Sequence, residues 1–546
     1  MANSNWNVLR RWLTRRTTAL SLSSVHSLND PVNDIMPSSS EAGPEIFIGL
    51  VGAVGTDLEG LTEAISTSLK EVSYSTSVVK LSQLLQGFPR WKDLPVEPED
   101  ERVRAHMRAG SEFRVILARG DALAAYSIGK IRDDREAITG NTDRLAGRRA
   151  YVLRSLKHPD EVTFLRRVYG QYFFLVGAYS PRDDRLSNLA HRIAESHGSI
   201  RAEDFEDEAR GMNRIDEEET DAPLGQNVRG TFPLADVFVD TREKPAMRDA
   251  VQRFIEILFA HPFHTPTQAE YGMFVAKAAA LRSAALPRQV GAAIASENGD
   301  VIAMGTNEVP KFSGGLYWPG DPNDSRDFKL GFDVSDRMKR NSLSEILKRL
   351  SSHGWISADK ERVDQKDKLQ QAMAIMKGTQ LMKTIEFSRA VHAEVAAILN
   401  AGLHGISVSA CTLYTTTFPC HDCARHIVAS GIQKVVYIEP YPKSLAVEFH
   451  EDSITVDQAR ECGGRVNFKP FVGIAPRRYV EFFDIGQVIR KKADGQVIDW
   501  NMLKYTAVPK LIDAPSIPPI YLAQEKAELA RVVEQCQTRQ LLENSR

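Results

Sequence analysis

His392 and Glu394 stand two residues apart, and the chain then reads Pro419-Cys420-His421-Asp422-Cys423. A lone H-x-E carries little, since with 13 histidines about one is expected by chance. P-C-x-x-C is another matter: with five cysteines in the chain, its chance occurrence is on the order of a few per thousand. One imidazole and two thiolates are the soft donors that zinc prefers, and three protein ligands leave one tetrahedral position for water. Two cysteines separated by two residues lie about one helical turn apart, so both sulfurs can face one ion. At a helix start, unpaired N–H groups favour the thiolate. Bound water becomes acidic near neutral pH. Glu394 then stands close to that water without being needed as a ligand, so it is the candidate general acid/base. Two other readings of the same residues stay open: a closed zinc site with His421 or His426 as fourth ligand, or a redox dithiol. Cys411, Cys462 and Cys536 have no cysteine or histidine at ligand spacing and are expected to pack.

The elements needed to position these residues can be read around them. SRAVHAEVAAILNAG is a helix, ACTLYTTTF a strand, CHDCARHIVASG a helix and KVVYIEPY a strand. Upstream, QVGAAIASENGDVIAMGTNEV reads as a β-hairpin turning at Glu297-Asn298-Gly299-Asp300. DAVQRFIEILFA and AEYGMFVAKAAALRSAA are helical, and a polar insertion of about 310–384 separates the hairpin from the histidine helix. At Glu45 a different pattern begins: strand IFIGLVGAVGT, helix LEGLTEAISTSLKEV, strand STSVVKLSQLL, and further strand–helix–strand units ending in ADVFVD. Such alternation implies a parallel sheet covered by helices. The fold expectation is α/β, with domains at 45–245 and 246–490. A flexible tail and linker (1–44) precedes them and an extension (491–546) follows. The acid-rich run from Ile200 to Asp221 is expected to be a solvated helix or a lid.

Bulk properties narrow the function. Net charge is −2, from 69 basic and 71 acidic side chains, which lacks the basic excess of a protein built on a phosphate backbone. A small-molecule substrate is therefore expected. Five cysteines are too few and odd in number for a disulfide scaffold. With no long apolar run, these features imply a cytoplasmic protein without a membrane span. The start carries Arg10, Arg11, Arg15 and Arg16 and no acid before Asp30, and reads as a basic tail rather than a secretory signal.

H-A-E…P-C-x-x-C on two helices behind a hairpin resembles the cytidine/deoxycytidylate deaminase superfamily, whose signature and chemistry are general knowledge for zinc deaminases. The resemblance implies hydrolytic attack at C4 of cytosine, with Glu394 moving protons to N3 and then to the departing amine. LRSAALPRQVGAAIASENGDVIAMGTNEVP looks like the deoxycytidylate branch, which maps substrate contacts onto Arg282, Ser283 and Asn307. Arg282, Arg288 and Lys443 are candidates for the phosphates. For each, a plain turn or surface role is the competing reading.

The nucleotide-kinase-like first domain, GQNVRGTFPLADVFVD and PFVGIAPRRYVEFFDIG together resemble the bacterial anti-phage dCTP deaminases. That implies conversion of dCTP, and of dCMP as a second substrate, with dCTP depletion as the defence. It also implies self-association and restraint by a nucleotide, RNA or protein. A housekeeping dCMP deaminase, an RNA or single-stranded DNA deaminase, and a non-enzymatic nucleotide sensor are the alternatives. The first domain departs from a P-loop: Gly49-Leu-Val-Gly52-Ala-Val-Gly55-Thr56-Asp57 lacks the lysine of GxxxxGK[ST]. Gly52, Gly55 and Thr56 are thus either a regulatory nucleotide pocket or a remnant. Arg182 and Arg185 stand where nucleotide kinases carry lid arginines, or in a solvated turn.

Overall fold

The computed structural model describes residues 43–219, 222, 224–441, 444–457, 464–486, 488–510 and 520–541. The N-terminal tail expected at 1–44 lies almost wholly outside them, as do Lys443 and Cys462. The chain divides into two units, one of residues 1–266 with 472–546 and one of residues 267–471. The boundaries therefore differ from those at 245/246 and 490/491. The helix around Met247–Leu258 and the segments after Val472 pack with the first unit. Among the described residues no helix is long and apolar enough to cross a membrane.

The first unit is built on β1 (Ile46–Val51), β2 (Ser75–Lys80), β3 (Arg149–Arg154), β4 (Phe173–Tyr179) and β5 (Val237–Asp240). These strands are parallel in the order β5-β4-β1-β3-β2, and the short strand Gly473–Ile474 adds antiparallel to β5. IFIGLV in β1 is buried at every position, as a central parallel strand covered on both faces must be. The main helices are α1 (Leu58–Glu71), α2 (Glu99–Leu117), α3 (Ala122–Thr139), α4 (Pro159–Tyr169), α5 (Arg182–Ser196), α6 (Glu206–Glu217) and α7 (Lys244–Leu258). The core gathers Ile46, Ile48 and Leu50 of β1 with Leu61 and Ile65 of α1 and Val251 and Phe254 of α7.

The C-terminal helix Tyr521–Thr538 is tied into this unit by charge. Arg135 of α3, fully buried, donates to both carboxylate oxygens of Glu45 at 2.9 Å and to Glu525 at 2.7 and 3.0 Å. Tyr521 Oη donates to Glu45 Oε2 at 2.8 Å. The 491–546 extension is thus, at this helix, part of the first unit's interior.

The second unit is a six-stranded sheet in the order β10-β11-β9-β8-β6-β7: β6 (Gly291–Ala295), β7 (Val301–Thr306), β8 (Thr412–Thr417), β9 (Lys434–Glu439), β10 (Ile454–Val456) and β11 (Val466–Pro470). β6 and β7 form the expected antiparallel hairpin, and β8, β9, β11 and β10 run parallel to one another. Its helices include α8 (Gln268–Ala280), α9 (Val334–Ser352), α10 (Gln365–Ile375), α11 (Ala393–Leu403) and α12 (His421–Ala429). α9 and α10 belong to the 310–384 insertion, and β10 and β11 close the sheet beyond the elements read from sequence. Ala292, Ile294, Leu413, Val435 and Phe468 of the sheet pack on Ala393, Ala397, Cys423 and Ile427 of α11 and α12.

A candidate metal centre and its cavity

Both helices that carry the chemistry begin at their ligands. His392 is the N-cap of α11 and Cys420 the N-cap of α12, so Glu394 and Cys423 fall in the first turns. The Cys423 N–H donates to Cys420 Sγ at 3.4 Å, the N–H···S contact that steadies sulfur at a helix start. Placement of α11 depends on β7. A Cβ at Gly305 would lie 2.1 Å from the Ala393 carbonyl oxygen and 2.3 Å from the Ala397 nitrogen, so only glycine lets the strand approach this closely.

The three donors converge. His392 Nδ1 lies 3.2 Å from Cys420 Sγ and 3.3 Å from Cys423 Sγ, and the three ligand atoms all fall within 4.8 Å of one another. Tetrahedral zinc with bonds of about 2.0–2.3 Å holds its ligand atoms about 3.3–3.8 Å apart. The two N···S distances lie at the short end of that range, so the donor set fits zinc with a small outward adjustment. The donor set fits in its protonation too. Hydrogen bonding from Cys423, with His392 beside it, pulls the Cys420 thiol down to about 4. His392 is pushed up to about 9, chiefly by its bond to Cys420. Cys423 moves the other way, well above its ordinary value, because it shares a proton with Cys420 and is buried. A cation replaces these shared protons. Neither His421 nor His426 joins the group, so among the described residues the closed four-ligand site has no fourth side chain.

Glu394 sits beside the donors and is 4% exposed. Its Oε2 is 3.4 Å from Cys423 Sγ, and Thr415 Oγ1 donates to its Oε1 at 3.4 Å. Burial raises its carboxyl above the usual range, and the charge on Cys420 adds to this. A carboxylate that gains a proton this readily is suited to receive and return one.

These groups form one wall of a cavity of about 450 Å³ that His392, Glu394 and Cys420 line together with Arg288, Asn307 and Tyr441. Asn307 is held at its mouth: Oδ1 accepts from Val290 N–H at 2.7 Å and Nδ2 donates to the Arg288 carbonyl at 2.8 Å. Arg288 lies over the Tyr441 ring at 4.9 Å, with Glu439 3.8 Å away. Two sequence-stated candidates are elsewhere. Arg282 donates to the carbonyls of Leu316 and Tyr317 and stacks 3.6 Å from the Trp318 ring. It does not line the cavity, because its guanidinium is spent holding the insertion's first loop. Ser283 is buried and donates to the Asn307 carbonyl at 2.7 Å, so it fixes Asn307 from behind. Lys443 lies outside the described residues. Sequence reasoning missed the cavity residues Lys339, Lys383, Asp333 and Asp336, all from the insertion, and Tyr441. No local motif marks them; only the fold of the insertion brings them to the site.

In the first unit the glycine loop is engaged by its own chain. Val54 N–H donates to Asp216 Oδ2 at 2.7 Å, and Asn213 Nδ2 donates to the Val54 carbonyl at 3.1 Å. Lys157 Nζ bridges the Gly52 carbonyl and Asp216, at 2.9 Å to each. Gly55 has φ +91°, and a Cβ there would sit 2.2 Å from the Arg185 carbonyl oxygen. Arg185 itself binds Asn213 Oδ1 at 2.9 Å, while Thr56 is buried. Asp57 caps α1 by accepting from Gly60 N–H at 2.8 Å, which accounts for an acid where a P-loop has a cation. The acid-rich run is accordingly not a wholly solvated helix: Asn213 and Asp216 on α6 are fully buried.

The family model of the cytidine and deoxycytidylate deaminase zinc-binding region matches residues 266–439. The chain is 50% identical over 54 residues to the deoxycytidylate deaminase of Enterobacteria phage T2, covering 10% of this chain and 29% of that protein. It is 45% identical over 64 residues to a probable deoxycytidylate deaminase of Drosophila melanogaster, 11% of this chain and 30% of that one. The chain thus spans under a third of the length of these relatives. A crystal structure of the dCMP deaminase from cyanophage S-TIM5 aligns with 38% of this chain and 99% of its own, at 17% identity and TM-score 0.20. His392, Cys420 and Cys423 all lie inside the matched span, so residues 266–439 are similar, metal donors included, to the zinc-binding region of cytidine and deoxycytidylate deaminases.

Proposed function

We propose that this chain is a zinc-dependent deaminase that hydrolyses the C4 amino group of deoxycytidine nucleotides, releasing the deoxyuridine nucleotide and ammonia. The observation that carries this is the placement of a buried carboxylate, Glu394, beside a three-donor set on the wall of one cavity. When bound, zinc supplies Lewis acidity that makes water a nucleophile near neutral pH. Glu394 does the rest of the proton work: it accepts one water proton and passes it to N3, then takes the second from the new C4 hydroxyl and gives it to the amino group, so that the C4–N bond breaks, ammonia leaves and the C4 carbonyl forms. Thr415 fixes the carboxylate's orientation. Asn307, held by two backbone bonds and by Ser283 behind it, has an acceptor lone pair and a second amide hydrogen left for a sugar hydroxyl. Arg288, Lys339 and Lys383 are the cations available to phosphate around the cavity.

Within this reading dCTP is the main substrate and dCMP a second one, and dCTP depletion serves anti-phage defence. Support comes from the arrangement of the whole chain, a parallel-sheet unit with a glycine loop at the end of its first strand followed by the deaminase unit. A housekeeping dCMP deaminase is the competing reading, favoured by the similarity to deoxycytidylate deaminases. A long nucleic acid fits less well, because Asp327, Asp333 and Asp336 line the cavity and would repel a polyanion. For Gly52, Gly55 and Thr56 the remnant reading is the better supported, since Asp216 already occupies a loop amide. Self-association and a restraining nucleotide, RNA or protein remain part of the proposal. The test is ammonia release from CMP, dCMP, dCTP and short oligonucleotides, with and without added deoxynucleotides. Turnover of dCTP above dCMP supports the defence reading; turnover of dCMP alone supports the housekeeping one; with zinc bound, no turnover of either rejects both.

A further inference from the structure

A second cluster of metal donors lies in the first unit and includes no residue that the proposed reaction uses. Glu256 is in the last turns of α7, and His261 and His264 follow in the loop that leads to Pro266. Each offers one ligand atom, and the three atoms lie within 4.8 Å of one another. Among the described residues only this group and the His392 group meet that condition. His264 Nε2 is already 2.5 Å from Glu256 Oε2, and the rings of His261 and His264 are 4.3 Å apart at 40°. Phe263 N–H donates to His261 Nδ1 at 3.2 Å, a contact that must yield, or the ring turn, before His261 offers a lone pair to a metal.

Hydrogen bonds hold the loop at three points. His261 N–H donates to the Glu256 carbonyl at 2.8 Å, Arg253 Nη2 to the Thr265 carbonyl at 2.9 Å, and Arg490 Nε to the Pro262 carbonyl at 2.8 Å. Ala260 makes the reversal at φ 65°. Glu256 Oε1 accepts from Gln252 Nε2 at 3.0 Å, an outer bond of the kind that orients a ligating carboxylate. The Trp500 ring covers His261 edge-on at 5.1 Å. A simple Glu–His ion pair would need neither the second histidine nor a loop pinned at two carbonyls and one amide.

We propose that Glu256, His261 and His264 bind a second zinc ion, a two-imidazole, one-carboxylate site with solvent in the fourth position. Zinc ligand atoms sit about 3.3 Å apart, and the three atoms here, all within 4.8 Å of one another, reach that spacing by side-chain rotation. The ion would lock the end of α7 to its loop; none of the three residues lines the cavity of the proposed reaction.

The test is zinc counted by mass spectrometry on full-length protein, reconstituted with zinc sulfate after chelator treatment and desalted. The expected count is about two ions per chain. It falls to about one in His261→Ala/His264→Ala and to about one in Cys420→Ser/Cys423→Ser, and to none in the combined variant. An unchanged count in the histidine variant overturns the inference, as does a wild-type count of one that the cysteine variant abolishes. A wild-type count of one removed only by the histidine variant would sink the His392 site instead. Should the double histidine variant fail to fold, cobalt loading of Cys420→Ser/Cys423→Ser decides. Visible d–d bands without thiolate charge transfer are expected there, and their absence overturns the proposal.

Discussion

Replacing Glu394 by glutamine removes the proton carrier and little else. The side chain is 4% exposed, and the amide has the carboxylate's shape, so the Thr415 and Cys423 contacts at 3.4 Å survive in outline. Zinc should stay, because His392, Cys420 and Cys423 are untouched. Folding stability should not fall, since a buried carboxylate gives way to a neutral group. Turnover should. General acid/base catalysis contributes about 10²–10⁴-fold, or roughly 3–5 kcal/mol of barrier. Two transfers through one enclosed group put the expected loss at the upper end, on the order of 10⁴. The other carboxylates that line the cavity, Asp327, Asp333 and Asp336, come from the insertion and are not beside the metal donors. The assay is ammonia release from dCMP and dCTP at saturating substrate, with zinc content and thermal midpoint measured on the same sample. A loss in kcat with zinc retained and the midpoint unchanged or raised is expected. A variant that keeps zinc and more than a tenth of wild-type kcat would refute the assignment.

Cys423→Ser should lower both zinc content and thermal midpoint together, because metal binding and folding are linked; full zinc occupancy by elemental analysis would contradict its role as ligand. Gly305→Ala should push α11 off β7 and so lower kcat while leaving the first unit's unfolding transition in calorimetry in place; undiminished activity would mean that helix placement does not matter. Arg135→Met strands Glu45 and Glu525 in the interior and should cost about 3–5 kcal/mol in denaturant unfolding of the first unit. Asp133 has its carboxyl raised to about 7, chiefly by burial, so the folded form holds its proton where the unfolded form does not. Stability should therefore fall as pH rises from about 4 to 7, and Asp133→Asn should flatten that slope, recovering about 1–2 kcal/mol at neutral pH once partial exposure is discounted. An unchanged slope in urea titrations would show the group is solvated.

The metal donors were readable because their spacing is local. H-x-E and P-C-x-x-C each span one helix start, and a helix start brings its N-cap and first turn to one point wherever the helix lies. The hairpin was readable for the same reason, from Asn298-Gly299 between two alternating runs. Domain edges were not. Nothing in the local pattern at 521–538 says that Glu525 will pair with Arg135, 390 residues away, or that Gly473 and Ile474 will extend the first sheet. Arg282, a candidate for the phosphates, lies off the cavity for a related reason. An arginine beside a hairpin can serve a ligand or a loop, and Trp318 and two backbone carbonyls decide for the loop. The cavity's cations, Lys339 and Lys383, lie on an insertion whose sequence has no motif.

The glycine loop shows how far the same limit reaches. Sequence offers Gly52, Gly55 and Thr56 after a strand and before a helix, with the lysine missing and an acid in its place. The structure supplies both charges from elsewhere. Lys157, just ahead of α4, brings the cation, and Asp216 of α6 brings the anion, 162 residues from the Val54 amide that binds it. A phosphate seeking that amide must displace a carboxylate that is fully buried and paired with an ammonium group 2.8 Å away. Removing one partner of a buried pair costs about 3–5 kcal/mol, so a ligand must recover that much before any net binding appears. The loop is satisfied by its own chain, so the unit holds this turn with neither a bound phosphate nor a lysine in the loop itself.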